Sequence, residues 1–324
     1  MQPARADTKN VDIMILIAGG QYDTNLTALV DRLKVRGIPF HGLLVGPEKP
    51  PRLRIDIQEH TFELDGKFLF PSAFFIRQDV FLYPTEDTAA AHAQAFNWYH
   101  AIRGWAESRL DARMFNRRTT LRENNKIHNL IAAHEAGLRI PRTIATNDFA
   151  PFGADTARLI QKPVAGGEYT GLLEDFLKTE RASALGPRFI QPRLGRPEFR
   201  VYRIGPQLMA FSLQSPELDY RQTRDVTIAA VPVPAGIAEG LTALCDRLDL
   251  DFAAADFMLD DQNEPTFLEV NSQPMFAAFD RAAGGRLCDA ILDCLMDDAS
   301  GKGSRIEGPS KSRPSHGRRP ASPL

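Results

Sequence analysis

The sequence predicts an α/β fold assembled from separate lobes, on three observations. A buried apolar run from Val11 to Ala18 is followed by a glycine pair, a segment of helical spacing and a second apolar run, Phe40 to Val45. This β-turn-α-β opening belongs to an open α/β sheet. Toward the other end, two hairpins, Glu198 to Leu213 and Asp256 to Asn271, alternate as antiparallel strands do. From Gly301 onward the chain is rich in Ser, Pro and Gly and almost free of large apolar side chains, so disorder is expected there.

The bulk composition narrows the function classes. At 324 residues and 43 % hydrophobic, the chain can bury a sizeable core in two or three lobes. A formal charge of −2 argues against nucleic-acid binding by the body of the protein. Six Lys or Arg against Glu307 give the tail +5 and leave −7 on the rest. Cys245, Cys288 and Cys294 have no metal-ligand or redox spacing, which fits a reducing cytosol. The run Ile13 to Ala18 is too short for a signal peptide, and no segment is long and apolar enough to span a bilayer. The expectation is a cytoplasmic protein.

In chain order, Val11–Ala18 is a strand broken by Gly19-Gly20, and Asp23 or Thr24 caps a helix from about Asn25 to Arg36, ended by Gly37. The glycine pair invites a nucleotide reading, although a full Gly-x-Gly-x-x-Gly is absent. Short strands occupy about Ile55 to Phe81, with a turn at Leu64-Asp65-Gly66-Lys67. A long helix from Thr85 to about Leu110 carries Trp98, Ile102 and Trp105 on one face, as core packing. Asn124-Asn125-Lys126 opens another helix, stopped by Gly137 and Pro141. Arg158 to Lys162 is a strand ending at Pro163, then a glycine-bearing loop from Val164 to Gly171. A lysine at a strand end beside such a loop suits a triphosphate, because close N–H groups and an ammonium meet its charge; most Lys-Pro steps are only strand ends. Phe189 to Pro192 is a strand, Pro234 to Leu248 a helix, and Arg281 to Met296 the closing helix.

The chemistry concentrates in the last hairpin. Strands Asp256-Phe257-Met258-Leu259 and Phe267-Leu268-Glu269-Val270-Asn271 flank a turn, Asp260 to Glu264. Residues i and i+2 of a strand share a face, so Glu269 and Asn271 project together and the hairpin brings Asp256 beside them. Three oxygen-bearing side chains suit Mg²⁺, which keeps part of its water and shares its shell with substrate phosphates. One acid alone would read as a polar rim; burying all three without a cation is costly.

Taken in order, these pieces resemble an ATP-grasp carboxylate ligase of the RimK-like branch: the Asn116 to Lys126 segment, strand-borne Lys162, a hinge strand with Gln191, an arginine strand with Arg200, then Asp256, Glu269 and Asn271. The resemblance spans roughly Asn116 to Asp280. Ser215-Pro216-Glu217-Leu218-Asp219-Tyr220-Arg221 is similar to the Asp-Trp-Arg motif of the ligases that macrocyclise ribosomal peptides (the microviridin or graspetide type), with Tyr replacing Trp. Ile140 to Asp148 is similar to their run after the lysine helix. After Asn271 the chain departs from them: Ser272-Gln273-Pro274-Met275-Phe276 is closer to the general RimK pattern. Read without the resemblance, Asp219 and Arg221 are a surface ion pair worth little.

The resemblance implies an ATP-grasp fold with an N-terminal preATP-grasp α/β domain (1–115), a central lobe (116–188), a C-terminal grasp lobe with the metal site (189–298) and a disordered basic tail (299–324). It implies ATP and one or two Mg²⁺, with Mn²⁺ an alternative ion. Lys126, Lys162, Gly166 and Gly167 would surround the phosphates, with Gly166-Gly167 in a lid; Gln191, Glu198 and Leu268 would serve the nucleotide as well, Gln191 at adenine and Glu198 at ribose. Asp256, Glu269 and Asn271 would hold the metal, and Arg200 and Arg221 would stabilise developing negative charge. The implied substrate is a peptide or small-molecule carboxylate, with a leader-bearing precursor peptide as the favoured partner, no nucleic acid or membrane, and a homodimer as the implied assembly. The rival expectations are a RimK-type ligase that adds an amino acid such as glutamate, and a non-catalytic nucleotide-binding module.

Overall fold

Six residues at the N-terminal end set the first layer. β1 (Ile15–Gly20) is buried almost throughout and pairs in parallel with β2 (Phe40–Val45) and β6 (Ala73–Ile76); β6 pairs in turn with the two-residue β7 (Arg113–Met114). The computed structural model describes residues 14–47, 49–78, 87–119, 125–152, 156–165, 170–179, 186–215 and 226–299. The expected break at Gly19-Gly20 does not occur: the ladder runs on through Gly19↔Leu44 and Gly20↔Val45. Gly19 serves packing instead. A Cβ on Gly19 would lie 2.7 Å from Leu26 Cδ1 and 3.0 Å from the Arg77 carbonyl oxygen, so Gly19 lets α1 (Thr24–Arg36) and the residue after β6 close on the strand.

Asp23, rather than Thr24, caps α1, its Oδ1 accepting from Asn25 N at 2.8 Å. Leu26, Leu29 and Leu33 are buried, and Gly37 ends the helix at φ +65°. A small antiparallel sheet of β3 (Leu53–Asp56), β4 (Thr61–Leu64) and β5 (Lys67–Phe68) follows, and its expected turn is present, with positive φ at both Asp65 and Gly66. α2 (Thr88–Ser108), capped by Asp87, lays Ile102, Trp105 and Trp98 against Leu16, Phe62 and Phe74. α3 (Lys126–Glu135) is capped by Asn125.

Of the three larger sheets, the second is antiparallel, in the order β10 (Gly171–Leu172), β9 (Leu159–Pro163), β11 (Arg188–Pro192), β8 (Ile144–Thr146), with α4 (Leu173–Leu177) completing a small core of Leu173, Phe176 and Ile190. The third, also antiparallel, runs β14 (Thr227–Val231), β13 (Gln207–Gln214), β12 (Gly195–Ile204), β15 (Phe252–Leu259), β16 (Pro265–Asn271). α5 (Ala238–Arg247) begins later than the expected Pro234; Gly236, at φ +80°, still belongs to a turn. The expected closing helix is two helices, α6 (Ala277–Ala282) and α7 (Arg286–Ala299), separated by Gly284 and Gly285 at φ +66° and +89°.

One apolar core runs from the first sheet into the third, joining Ile15, Leu26 and Phe75 to Tyr202, Phe252, Phe279 and Leu287. Phe75 meets Phe115, Phe252 and Phe276 edge-on at 5.8–6.2 Å, each pair worth about 0.5–1.5 kcal/mol beyond its burial. Among the described residues no helix is long and apolar enough to cross a membrane.

Candidate active site

The third sheet sorts its own chemistry by alternation. On β12, Glu198, Arg200, Tyr202 and Ile204 share a face; on β15, Phe252, Ala254 and Asp256 share that face too, since Arg200 pairs with Asp256 and Tyr202 with Ala254. The apolar members lie under the core joined to the first sheet. The charged members form the other end. The opposite face, with Val201, Ala255, Phe257 and Val270, is covered by α3 and α5.

The turn that closes the hairpin is built as the sequence predicts, with Asp260 Oδ1 accepting from Gln262 N and Glu264 N at 2.9 Å each. The register sets Asp256 opposite Glu269 and Ala254 opposite Asn271. Between Asp256↔Glu269 and Phe257↔Phe267 the ladder is shifted, leaving Leu268 as the extra residue of a bulge. The bulge reconciles the burial pattern: Phe267 and Val270 are both buried, while Leu268 and Glu269 are both half-buried. Leu268 thereby stands next to Glu269 along the strand.

Arg200, Asp256 and Glu269 therefore form a row across three strands. Arg200 grips Asp256 with two bonds, Nε to Oδ1 at 2.6 Å and Nη2 to Oδ2 at 2.7 Å, both side chains being buried. The guanidinium also lies over Phe279, 5.2 Å from the ring centroid. Glu269 Oε2 meets Lys126 Nζ at 3.0 Å. The lysine reaches it because β16 is the edge strand and α3 packs along it. Asn271 Nδ2 donates to Glu269 Oε1 at 3.4 Å. Burial pushes the Asp256 carboxyl above its ordinary range against the pull of Arg200. Burial acts the same way on Glu269, but Lys126, Lys162 and the Asn271 bond together outweigh it and hold that carboxyl low.

The second sheet supplies the facing surface. Lys162 pairs with Phe189 in register and its ammonium lies 5.8 Å from that ring's centroid. Gln191, two residues along β11, shares the face. Lys162 acts electrostatically on both Asp256 and Glu269. Gln191 is 1 % exposed; its Nε2 donates to Thr143 Oγ1 at 2.7 Å, while its Oε1 is buried with no hydrogen bond among the described residues. A buried acceptor left unmatched is costly, and a ligand N–H at this spot would satisfy it.

The structure thus brings together Lys126, Lys162, Arg200, Asp256, Leu268, Glu269 and Asn271, places Gln191 on the facing sheet, and sets Glu198 two residues from Arg200. Gly166, Gly167 and Arg221, with Asp219 and Tyr220, lie outside the described residues. Among the described residues no three His, Cys, Asp or Glu converge as a metal centre. The donor set is two carboxylates and an amide, which suits a hard cation that takes its remaining oxygens from phosphate and water.

Sequence reasoning passed over one contribution. The segment after Asn271 is held by residues from the first 116. Gln78 N donates to Gln273 Oε1, Arg77 Nη1 to the Pro274 carbonyl oxygen at 2.9 Å, and Asn25 Oδ1 accepts from Phe276 N and Ala277 N at 2.6 and 2.8 Å. Arg77 is itself fixed by fully buried Asp23 at 2.7 Å. The only signal in the sequence was polar residues (Asp23, Asn25, Arg77) beside apolar strands.

These three sheets, with the charged row set between the second and the third, make the ATP-grasp fold. The particular structures it resembles share that fold at low identity. The ATP-grasp ligase PsnB complexed with minimal precursor, Mg and ADP superposes with a TM-score of 0.69 at 22 % identity, over 87 % of this chain and 98 % of that one. The macrocyclase MdnC bound with precursor peptide MdnA, from Microcystis aeruginosa MRC, gives 0.66 at 18 %, over 87 % and 99 %. D-alanine–D-alanine ligase from Bacillus anthracis, complexed with ATP, gives 0.55 at 14 %, over 91 % and 100 %. No family model matches the chain, and no curated protein matches its sequence.

Proposed function

We propose that the chain is an ATP-dependent ligase that activates a carboxylate as its acyl phosphate and passes the acyl group to an amine or hydroxyl. The favoured substrate is a ribosomally made precursor peptide with a leader, ring-closed by side-chain lactams or lactones. One observation carries this reading: two opposed carboxylates, held by a guanidinium and a lysine and facing a second lysine, in a fold whose similar structures hold ADP, Mg and a precursor.

In this reading Lys126 and Lys162 bind the phosphates, Gln191 turns its unmatched Oε1 to the adenine amino group, Glu198 takes the ribose and Leu268 lines the nucleotide. Asp256, Glu269 and Asn271 hold the cation, which when bound supplies charge neutralisation and alignment for in-line transfer. The substrate carboxylate attacks the γ-phosphorus and ADP leaves. The incoming amine or hydroxyl then attacks the acyl carbon, loses its proton and expels phosphate. Arg200 and Arg221 steady the oxygens on which charge collects, since a guanidinium fork fits both phosphate and a tetrahedral oxyanion. Gly166-Gly167 would belong to a lid that keeps the acyl phosphate from water. The limits 1–115, 116–188, 189–298 and 299–324 are proposed for the three lobes and tail. Free thiols at Cys245, Cys288 and Cys294 fit a reducing, cytoplasmic setting.

Ser272-Gln273-Pro274 favours a second reading, RimK-type addition of an amino acid such as glutamate. Both readings share the acyl phosphate, and hydroxylamine tests it. Enzyme, Mg²⁺-ATP, acceptor-blocked peptide and hydroxylamine should give a peptide hydroxamate and one ADP per hydroxamate. ADP release with no hydroxamate would rule out acyl transfer.

A further inference from the structure

We propose that Asn116 is a positioning residue that clasps the open end of the Asp256–Asn271 hairpin and so sets the geometry of its cation ligands. The inference rests on the reading of Asp256, Glu269 and Asn271 as those ligands.

The hairpin is closed at one end by its turn. At the other end the last paired residues are Ala254 and Asn271; beyond them β15 continues paired with β12 as far as Phe252↔Ile204, while the segment after Asn271 leaves the ladder. Asn116 sits there, buried, and its amide uses all of its hydrogen-bonding capacity on the two strands. Oδ1 accepts from Asp251 N and Phe252 N at 3.0 Å each, and Nδ2 donates to the Phe252 carbonyl at 2.7 Å and the Ser272 carbonyl at 2.8 Å. Phe252 begins β15, and Ser272 follows Asn271 directly. The clasp is anchored in turn: Asn116 N donates to Asp251 Oδ1 at 2.6 Å, and its carbonyl accepts from Arg103 Nη2 at 2.7 Å.

The residue type follows from these demands. Asn116 has φ +51°, a region that asparagine and glycine tolerate and most residues avoid. Two carbonyls need donors and two N–H groups need an acceptor, from one short planar side chain. Aspartate offers no donors, serine only one, and glutamine is a methylene too long. Ligand constellations must hold to about 0.5 Å to work, and the carbonyl that Asn116 fixes belongs to the residue bonded to Asn271.

Asn116→Gly separates the clasp from the backbone, since glycine keeps the positive φ and loses all four side-chain bonds; Asn116→Asp keeps the shape and removes the two donors. Arg32→Ala is the control, because Arg32 binds Asp289 across α1 and α7 and touches no part of the hairpin. Mn²⁺ is titrated into the full-length protein with ADP and followed by electron paramagnetic resonance, and ADP binding is measured in EDTA. Asp256→Asn identifies the Mn²⁺ signal as this site's. Both Asn116 variants should weaken Mn²⁺ by about 10- to 100-fold, the usual cost of losing an outer-shell support, with ADP affinity in EDTA within about twofold. Arg32→Ala should hold Mn²⁺ as the wild type does, whatever it does to melting temperature. Wild-type Mn²⁺ affinity in Asn116→Gly, or an equal loss in Arg32→Ala, would overturn the positioning role alone. A wild-type protein that takes up no Asp256-dependent Mn²⁺ would overturn the metal reading and this inference together.

Discussion

Replacing Arg200 with alanine should lower kcat by about a hundredfold or more, with little change in the KM for ATP, if the guanidinium acts mainly on charge that develops in the transition state. A variant that only raised KM would contradict that role. The same substitution has a second consequence, because in this structure Arg200 is committed to Asp256 through two short bonds. Removing it strands a buried carboxylate, and breaking such a pair costs about 3–5 kcal/mol. A divalent cation on Asp256 would replace the lost positive charge. Thermal unfolding of Arg200→Ala should therefore show a large deficit without ligands and a smaller one with Mg²⁺ and ADP. A deficit equal under both conditions would mean that the cation does not bind at Asp256.

Asp256→Asn should be the more damaging change to turnover. It keeps the size of the side chain, removes one of the two proposed anionic ligands and leaves Arg200 without its carboxylate. Losing about 4 kcal/mol of cation-dependent transition-state stabilisation corresponds to roughly a thousandfold in the rate of ADP formation. ADP affinity in EDTA should change far less than affinity in Mg²⁺, since Lys126 and Lys162 remain. Turnover within about tenfold of wild type would remove Asp256 from the reacting centre.

Much of the fold was legible because local and tertiary demands agree. Leu26, Leu29 and Leu33 repeat at helical spacing between an Asp23 cap and Gly37, and the helix runs where those signals place it. The split between α6 and α7 was hidden because Gly284-Gly285 lies inside an otherwise apolar helical pattern. β7, β8 and β10 are two or three residues long, too short for a period; β7 and β8 exist only through pairing with strands some forty residues away, and β10 through pairing with β9.

At the site, the nearness of Asp256, Glu269 and Asn271 followed from strand parity and one tight turn. Two features did not. The Arg200–Asp256 pair depends on the register between β12 and β15, which no single segment encodes. The bulge at Leu268 depends on burying both Phe267 and Val270, so strict alternation would have placed Leu268 on the opposite face from Glu269. The bonds from Asn25, Arg77 and Asn116 to the segment after Asn271 were likewise invisible, because each joins residues far apart in the chain.

The most direct measurement is the intact mass of a candidate precursor peptide, ideally one encoded beside this gene, after incubation with the full-length protein, ATP and Mg²⁺. Each bond formed should cost the peptide one water, matched by one ADP. A mass gain equal to an added residue would contradict ring closure and assign the chain to amino-acid addition, and an unchanged mass with ATP intact would contradict the ligase reading.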